Sequence, residues 1–290
     1  MKNRIVRIVF GVLCMGVVAM GQPRILVVQA HPDDETACAA LLFALTHYQN
    51  AIVDICVITN GEAGYRYATL AEALYHLPLT IDSIGRAHLP RIRKREMLEA
   101  AELLGVRTVY FLDERDHAYT QSMEETLREW DTAIVRHQLE RIIRRGRYDL
   151  ALGLLPTQTT HGGHKAATYL LLQAAARVQP QLPVLGVLGG DSLFAVAMEP
   201  FAEGVINTPP LVFDRTVSFG FNRRLTWKAI VAWNAAVHRS QGLMPLGPIA
   251  NREYYWLLAP RTESARVQVE KLFRMLREKL RTELPNYPEQ

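Results

Sequence analysis

Residues 25–35 read ILVVQAHPDDE, and this stretch decides the fold. Ile25–Ala30 is apolar but for Gln29 and has the length of a buried strand. It ends in an imidazole and three carboxylates within five residues, His31 to Glu35. A continuous apolar strand, without polar alternation, belongs inside a sheet covered on both faces. Working outward, the same alternation of strand and helix recurs. Strands are expected over Ile52–Thr59, Thr108–Asp113 and Asp149–Leu155. Helices are expected over Thr36–Tyr48, Pro90–Gly105, Glu124–Arg145 and His164–Arg177. Strands alternating with helices predict an α/β fold with a mostly parallel sheet flanked by helices. From about residue 183 the pattern changes to Pro- and Gly-punctuated strands over Val184–Leu188, Phe194–Glu199 and Val212–Val217. Helices over Arg223–Ser240 and Ser264–Leu284 follow. Gly61–Leu89 shows weak periodicity and reads as a long loop, a class that often serves as a lid.

The first 21 residues stand apart from this pattern. Lys2, Arg4 and Arg7 precede an apolar run from Ile8 to Met20, and Ala19 and Gly21 are small. This is the layout of a secretory leader, with cleavage expected before Gln22 and export as the consequence. Thirteen apolar residues fall short of the ~20 a spanning helix needs, so no stable membrane span is expected after cleavage. A retained N-terminal anchor is the alternative. Residues 22–290 then form a single domain. Lys2, Arg4 and Arg7 also supply three of the four net positive charges, leaving +1. The clusters Arg91–Arg95 and Arg141–Arg147 sit on expected helices, where charge runs are usually solvated faces. No nucleic-acid partner is expected. Cys38 and Cys56 lie among apolar residues and read as buried thiols. With no CxxC pair, a thiolate zinc site is excluded.

In an open parallel sheet, ligands bind at the carboxyl ends of the strands. Two clusters lie there. After the first strand come His31, Asp33, Asp34 and Glu35. Carboxylates this close repel one another unless a cation or proton offsets them, although they also suit a helix N-terminus. His31 and Asp34, three apart, can point at one ion across a turn at Pro32, leaving Asp33 free to contact a water. After the fourth strand comes HGGH at 161–164. Histidines at i and i+3 share a helix face, and Gly162 and Gly163 let a ligand approach the backbone. His31, Asp34 and one histidine of the second pair make a His2Asp set with an open fourth position, the arrangement of a catalytic zinc site. Zinc there would lower the pKa of a water and polarise a carbonyl. Asp33 would serve as general base, and the remaining histidine would stabilise an oxyanion. The chemistry implied is hydrolysis of an amide or ester.

The sequence resembles the PIG-L/LmbE-like de-N-acetylases. The resemblance rests on AHPDDE at 30–35, TNGEAG at 59–64, Arg93 and Glu96 leading to LGV at 104–106, and Phe111, Leu112 and Asp116. HGGH at 161–164 and Lys228 with HRSQ at 238–241 complete it. It implies a Rossmann-like, LmbE-like fold. One Zn2+ per chain, or another divalent ion such as Fe2+, would be held by His31, Asp34 and His164. Asp33 would be the base that later protonates the amine, and His161 would stabilise the tetrahedral intermediate. Arg93 and Asp116 match positions that contact the sugar. His238 and Gln241 would form a polar wall of the pocket. The substrate would be a small molecule or glycan carrying an N-acetyl group. Many members have Asp just before the second metal-binding histidine, where this chain has Gly163. Residues 65–89 match no family pattern and would help form the substrate pocket. A metal-dependent phosphoesterase, with two metals per chain, and a non-catalytic carbohydrate-binding module are the rival readings. His47, His76, His88, His117 and His137 read as surface or loop residues, and Trp227, Trp233 and Trp256 as core.

Overall fold

The structure is a computed structural model that describes residues 22–191, 196–242 and 248–288. The leader expected over 1–21 lies outside them. Five strands pair in parallel: β1 (Arg24–Gln29), β2 (Ile52–Thr59), β3 (Thr108–Glu114), β4 (Leu150–Leu154) and β5 (Val184–Gly190). Two more, β6 (Leu211–Asp214) and β9 (Arg252–Ala259), extend the sheet antiparallel. The order is β3-β2-β1-β4-β5-β9-β6. β7 (Ser218–Phe219) and β8 (Leu225–Thr226) form a separate two-stranded ribbon. The chain steps outward from β1 to β2 and β3 on one side and to β4 and β5 on the other. The reversal between β1 and β4 opens a crevice at their carboxyl ends.

The strand residues alternate between two buried layers, as the two-residue side-chain period requires. Ile25 and Val27 face α1 (Ala39–Gln49), α7 (Lys228–Val237) and α8 (Glu263–Glu283), with Leu41, Trp227 and Phe273 in the same core cluster. Leu26 and Val28 face α5 (Thr132–Gly146) and α6 (Gly162–Val178), with Leu139, Ile143 and Leu171. Cys38 belongs to the first layer and Cys56 to the second, and both are free and buried. The sheet separates the two thiols.

Several expectations are corrected. The stretch over 61–89 is not a loop: it contains a 3-10 segment (Glu62–Tyr67), α2 (Thr69–Tyr75) and the start of α3 (Asp82–Leu103). Ala68, Ala71, Leu79, Leu89 and Ile92 bury one another there as a small third core. α3 accordingly runs through Pro90 instead of starting at it. The single helix over 124–145 is two helices, α4 (Met123–Glu129) and α5. Buried Trp130 leaves helical geometry, and Asp131 caps α5 by accepting from Ile134 N at 3.0 Å. The helix expected over Arg223–Ser240 is shorter, α7, while α8 lies within one residue of the helix expected over Ser264–Leu284, and β9 lies where no strand was expected. Its run Glu253–Leu258 carries no alternation, so periodicity alone cannot separate it from a buried helix. Of the strand expected over Phe194–Glu199, residues 194 and 195 lie outside the described set, and Met198 makes only an isolated bridge to Thr157. Trp227 and Trp256 are core residues, but Trp233 is exposed.

β9 also delivers a buried carboxylate. Glu253 accepts from Ala40 N at 3.1 Å and Leu41 N at 3.2 Å, at the first turn of α1. Arg215 pairs with Glu253 at 2.9 Å and donates to the carbonyl of Ala37 at 2.8 Å. An acidic group at a helix N-terminus is favoured by the exposed N–H groups and the helix dipole. The last strand thereby fixes the helix that follows the 30–35 turn.

Candidate active site

The 30–35 turn leaves β1 through an uncommon backbone conformation. Asp33 has φ of 121°, a region that costs a residue with a side chain about 1–3 kcal/mol. Three side chains hold it. Asp34 Oδ2 accepts from the backbone N of Ala30 at 3.0 Å and of His31 at 2.9 Å. Glu35 Oε2 accepts from Asp33 N at 3.1 Å. Arg93, from α3, donates to the carbonyl of Pro32 at 2.5 Å, to Asp33 Oδ2 at 2.9 Å and to the carbonyl of Gly61 at 2.6 Å. This buried guanidinium explains the glycines of residues 59–64. A Cβ on Gly61 would lie 2.4 Å from Arg93 Nη1, and Gly61 has φ of +67°. A Cβ on Gly64 would lie 2.5 Å from Gln241 Oε1.

Because β1 and β4 are neighbours, the loops after them meet. His164 Nε2 lies 3.0 Å from Asp34 Oδ1, and His31 Nδ1 lies 3.6 Å from Asp34 Oδ2. One ligand atom from each of His31, Asp34 and His164 lies within 4.8 Å of the others. The set fits a divalent ion. Asp34 commits Oδ2 to the turn and presents Oδ1 to His164, while Thr160 Oγ1 takes up His164 Nδ1 at 3.0 Å and orients the ring. Burial alone would raise the Asp34 pKa, but His164 and His31 outweigh it and hold the carboxylate well below its usual range. Burial opposes charge on His31, yet Asp116 and Asp34 prevail and raise it to about 9.

His161 is the N-cap residue of α6. Its Nδ1 accepts from Gly163 N at 2.9 Å, so the ring proton sits on Nε2. Burial, then the neighbouring His31 and His164, push its pKa down to about 3. His161 is therefore a neutral imidazole with one donor, and its ring meets those of His31 and Tyr119 edge to face. The Asp33 pKa is raised, chiefly by burial, against the opposing charge of Arg93.

These groups line a cavity of about 470 Å³, together with Arg93, Asp116 and Gln241. Asp116 Oδ1 lies 3.8 Å from His31 Nε2, and its backbone N donates to Glu62 Oε2 at 3.1 Å. Gln241 is held by its Nε2 donating to the carbonyl of Ser240 at 2.8 Å. His238 is placed differently from expectation. It is not among the residues lining the cavity, and its Nε2 lies 2.5 Å from Glu35 Oε1, behind Asp33. The 65–89 segment does help form the pocket, but sequence reading singled out none of its lining residues, nor Tyr119. Tyr65, Arg66, Tyr67 and Arg86 come from the unfamiliar 65–89 segment, and Tyr119 follows β3. Arg86 sits 5.3 Å over the Tyr65 ring and donates to the carbonyls of Asp116 and His117 at 2.9 and 2.7 Å, tying this segment to the site. The clustered tyrosines were the available signal for them.

A family model described as GlcNAc-PI de-N-acetylase (PIG-L) matches residues 26–175. A curated relative, a probable N-acetyl-alpha-D-glucosaminyl L-malate deacetylase 2 of Bacillus cereus, is 26% identical over 218 residues, 75% of this chain and 83% of its own length. Among solved structures, the N,N'-diacetylchitobiose deacetylase of Pyrococcus horikoshii aligns with a TM-score of 0.50 at 18% identity, over 89% of this chain and 77% of that one. A 4-carboxy-2-hydroxymuconate hydratase of Pseudomonas putida aligns with a TM-score of 0.52 at 18% identity, over 83% of this chain and 98% of that one. Those two similarities show the fold alone, and the hydratase illustrates that one fold carries more than one chemistry.

Proposed function

This chain belongs to the PIG-L family of de-N-acetylases, and from that premise we propose that it is a zinc-dependent hydrolase of the acetamide in an N-acetylated amino sugar or its conjugate. The observation that carries this reading is the convergence of His31, Asp34 and His164 beside Asp33 and the Nε2 donor of His161. A His2Asp donor set suits zinc. Bound there, the ion supplies Lewis acidity toward the amide carbonyl and toward water.

The chain's own groups divide the remaining work. Asp33 accepts a proton from the attacking water. Burial raises its affinity for that proton, so the acid form persists long enough to protonate the departing amine. Arg93 spends its guanidinium on Asp33 and on the Pro32 and Gly61 carbonyls. It thus fixes the carboxylate from the pocket wall. His161, neutral with its proton on Nε2, donates to the carbonyl oxygen as negative charge develops there. Asp116 and Gln241 offer polar atoms to sugar hydroxyls, and Tyr65, Tyr67 and Tyr119 offer ring faces to the sugar's apolar face.

The test is zinc content together with acetate release across N-acetyl sugars, glycolipids and cell-wall fragments. Asp33→Ala should keep zinc and lose activity by roughly 10²- to 10⁴-fold. A wild-type rate in that variant would overturn Asp33 as base. Export through cleavage before Gln22 is part of the proposal, supported by the basic start and apolar run of residues 1–21. N-terminal sequencing of the mature protein tests it. No described helix is long and apolar enough to cross a membrane.

A further inference from the structure

Glu35 is the acid of the 30–35 turn that the proposed reaction leaves unused, and it is fully buried. Its carboxylate is surrounded by donors. Oε2 accepts from Gln29 Nε2 at 2.9 Å and from Asp33 N at 3.1 Å. Oε1 accepts from Asn234 Nδ2 at 3.0 Å and from His238 Nε2 at 2.5 Å. Asn234 also donates to Thr36 Oγ1 at 2.8 Å. Asn234 lies in α7 and His238 is its C-cap, and both are buried. Both fall outside residues 26–175, where the family model matches.

The position of Glu35 matters because of what Oε2 holds. Asp33 stands at φ of 121°. A residue with a side chain persists there only when its surroundings over-determine it. Arg93 fixes the Asp33 carboxylate and the preceding carbonyl, and Glu35 fixes the Asp33 N–H. Turning Glu35 away would release that N–H and let the peptide relax. The Asp33 carboxylate would then swing relative to the metal ligands. Catalytic groups displaced by about 1 Å lose on the order of 10²-fold in rate.

We propose that Asn234 and His238 are positioning residues that set Asp33 through Glu35. The proposal rests on Asp33 being the general base. Neither residue lines the cavity, so neither contacts substrate there. A purely structural role is the competing account, since a buried carboxylate needs partners in any protein. The two accounts differ in whether the effect of α7 passes through Asp33.

The experiment measures kcat, KM and zinc per chain for acetate release in the zinc-loaded enzyme. The variants are His238→Leu, His238→Gln, Asn234→Ala, Asp33→Ala and the double variant Asp33→Ala/His238→Leu. Gln places a neutral donor where His238 Nε2 stands. His238→Leu and Asn234→Ala should each lower kcat by roughly 10- to 100-fold, the range for groups behind a reacting residue. KM and zinc content should stay at wild-type values. His238→Gln should restore most of the loss. In the Asp33→Ala background, His238→Leu should add no further loss, the signature of residues acting as a unit. The proposal falls if His238→Leu keeps wild-type kcat while Asp33→Ala is impaired. It also falls if His238→Leu costs the same factor with and without Asp33. A wild-type rate in Asp33→Ala would overturn the base assignment itself, and this proposal with it. Should His238→Leu fail to fold, Asn234→Ala alone and combined with Asp33→Ala carries the same test.

Discussion

The front and the rear of the 30–35 turn contrast sharply. At the front, Asp34 and His31 face His164 and His161 across a cavity, with ligand atoms close together and acceptors left for a cation. At the rear, Glu35 is buried and both its oxygens are committed to donors. Two adjacent carboxylates thus do different work because of what surrounds them. Asp34 divides itself between the turn and the ion site, while Glu35 gives everything to support. Reactivity depends on groups left partly unsatisfied, and such groups keep their geometry only against a fully satisfied backing.

The largest effect that would break this contrast comes from Asp34→Ala, which removes a candidate metal ligand and the acceptor closing the turn together. Zinc content and acetate release should both fall to background, and the melting temperature should drop. Asp34→Asn keeps a side-chain acceptor for Ala30 N and His31 N. It should recover the melting temperature without recovering zinc, and a variant that recovers both would place the ion elsewhere.

Proton competition at the front gives the next effect. Without metal, His31 holds its proton up to about pH 9, and a histidine must be neutral to ligate. Apparent zinc affinity should therefore rise about tenfold per pH unit from pH 6.5 toward 9 and level off above. Calorimetry in buffers of different ionisation enthalpy would detect the released proton. A flat affinity profile with no proton release would contradict the charge balance assigned to His31.

The rear should respond to pH through stability, and more weakly. The His238 pKa is raised above 6.5: burial opposes the charge but Glu35 outweighs it. That contribution is complete below pH 6.5 and is lost as pH rises through the folded value. Burial would raise the Glu35 pKa, but His238 holds it below 4.5, so its contribution is present above 4.5 and lost as pH falls through the folded value. The melting-temperature gap between wild type and His238→Gln should be widest between about pH 4.5 and 6.5. A gap of the order of 2–4 °C corresponds to about 1 kcal/mol in a chain near this size. A gap that widens above pH 6.5 would reverse the sign argued for the pair.

The front was the legible side. Carboxylates and histidines directly after apolar strands are local features. The switch-point rule brings two such loops together without any knowledge of the intervening chain. The rear lay beyond reach. HRSQ at 238–241 shows polar residues at a helix end, but nothing local says that His238 lies behind Asp33 and Gln241 in front of it. β9 was hidden for a related reason. Its neighbours β5 and β6 are chosen by long-range pairing, and Glu253, just ahead of the apolar run 254–259, serves α1, more than 200 residues earlier. The 61–89 segment lacks a clear period because its 3-10 segment and α2 are short and it buries only a small core of its own. Too few apolar positions repeat there to show a helical period.

The place of β9 between β5 and β6 bears on the order in which the enzyme is made. All three candidate metal ligands and the proposed base have been synthesised by residue 164. The strand that completes the sheet, and the Glu253 carboxylate that anchors α1, arrive only at 252–259. Until then α1 starts without that acceptor, and β5 presents an open edge suited to pairing with another chain. A product truncated before Arg252 would carry the whole recognisable motif set and still lack the anchored helix behind it. For this chain, completeness of the motifs and completeness of the site are separate events in biosynthesis, and the interval between them is when the nascent protein is most open to misassembly.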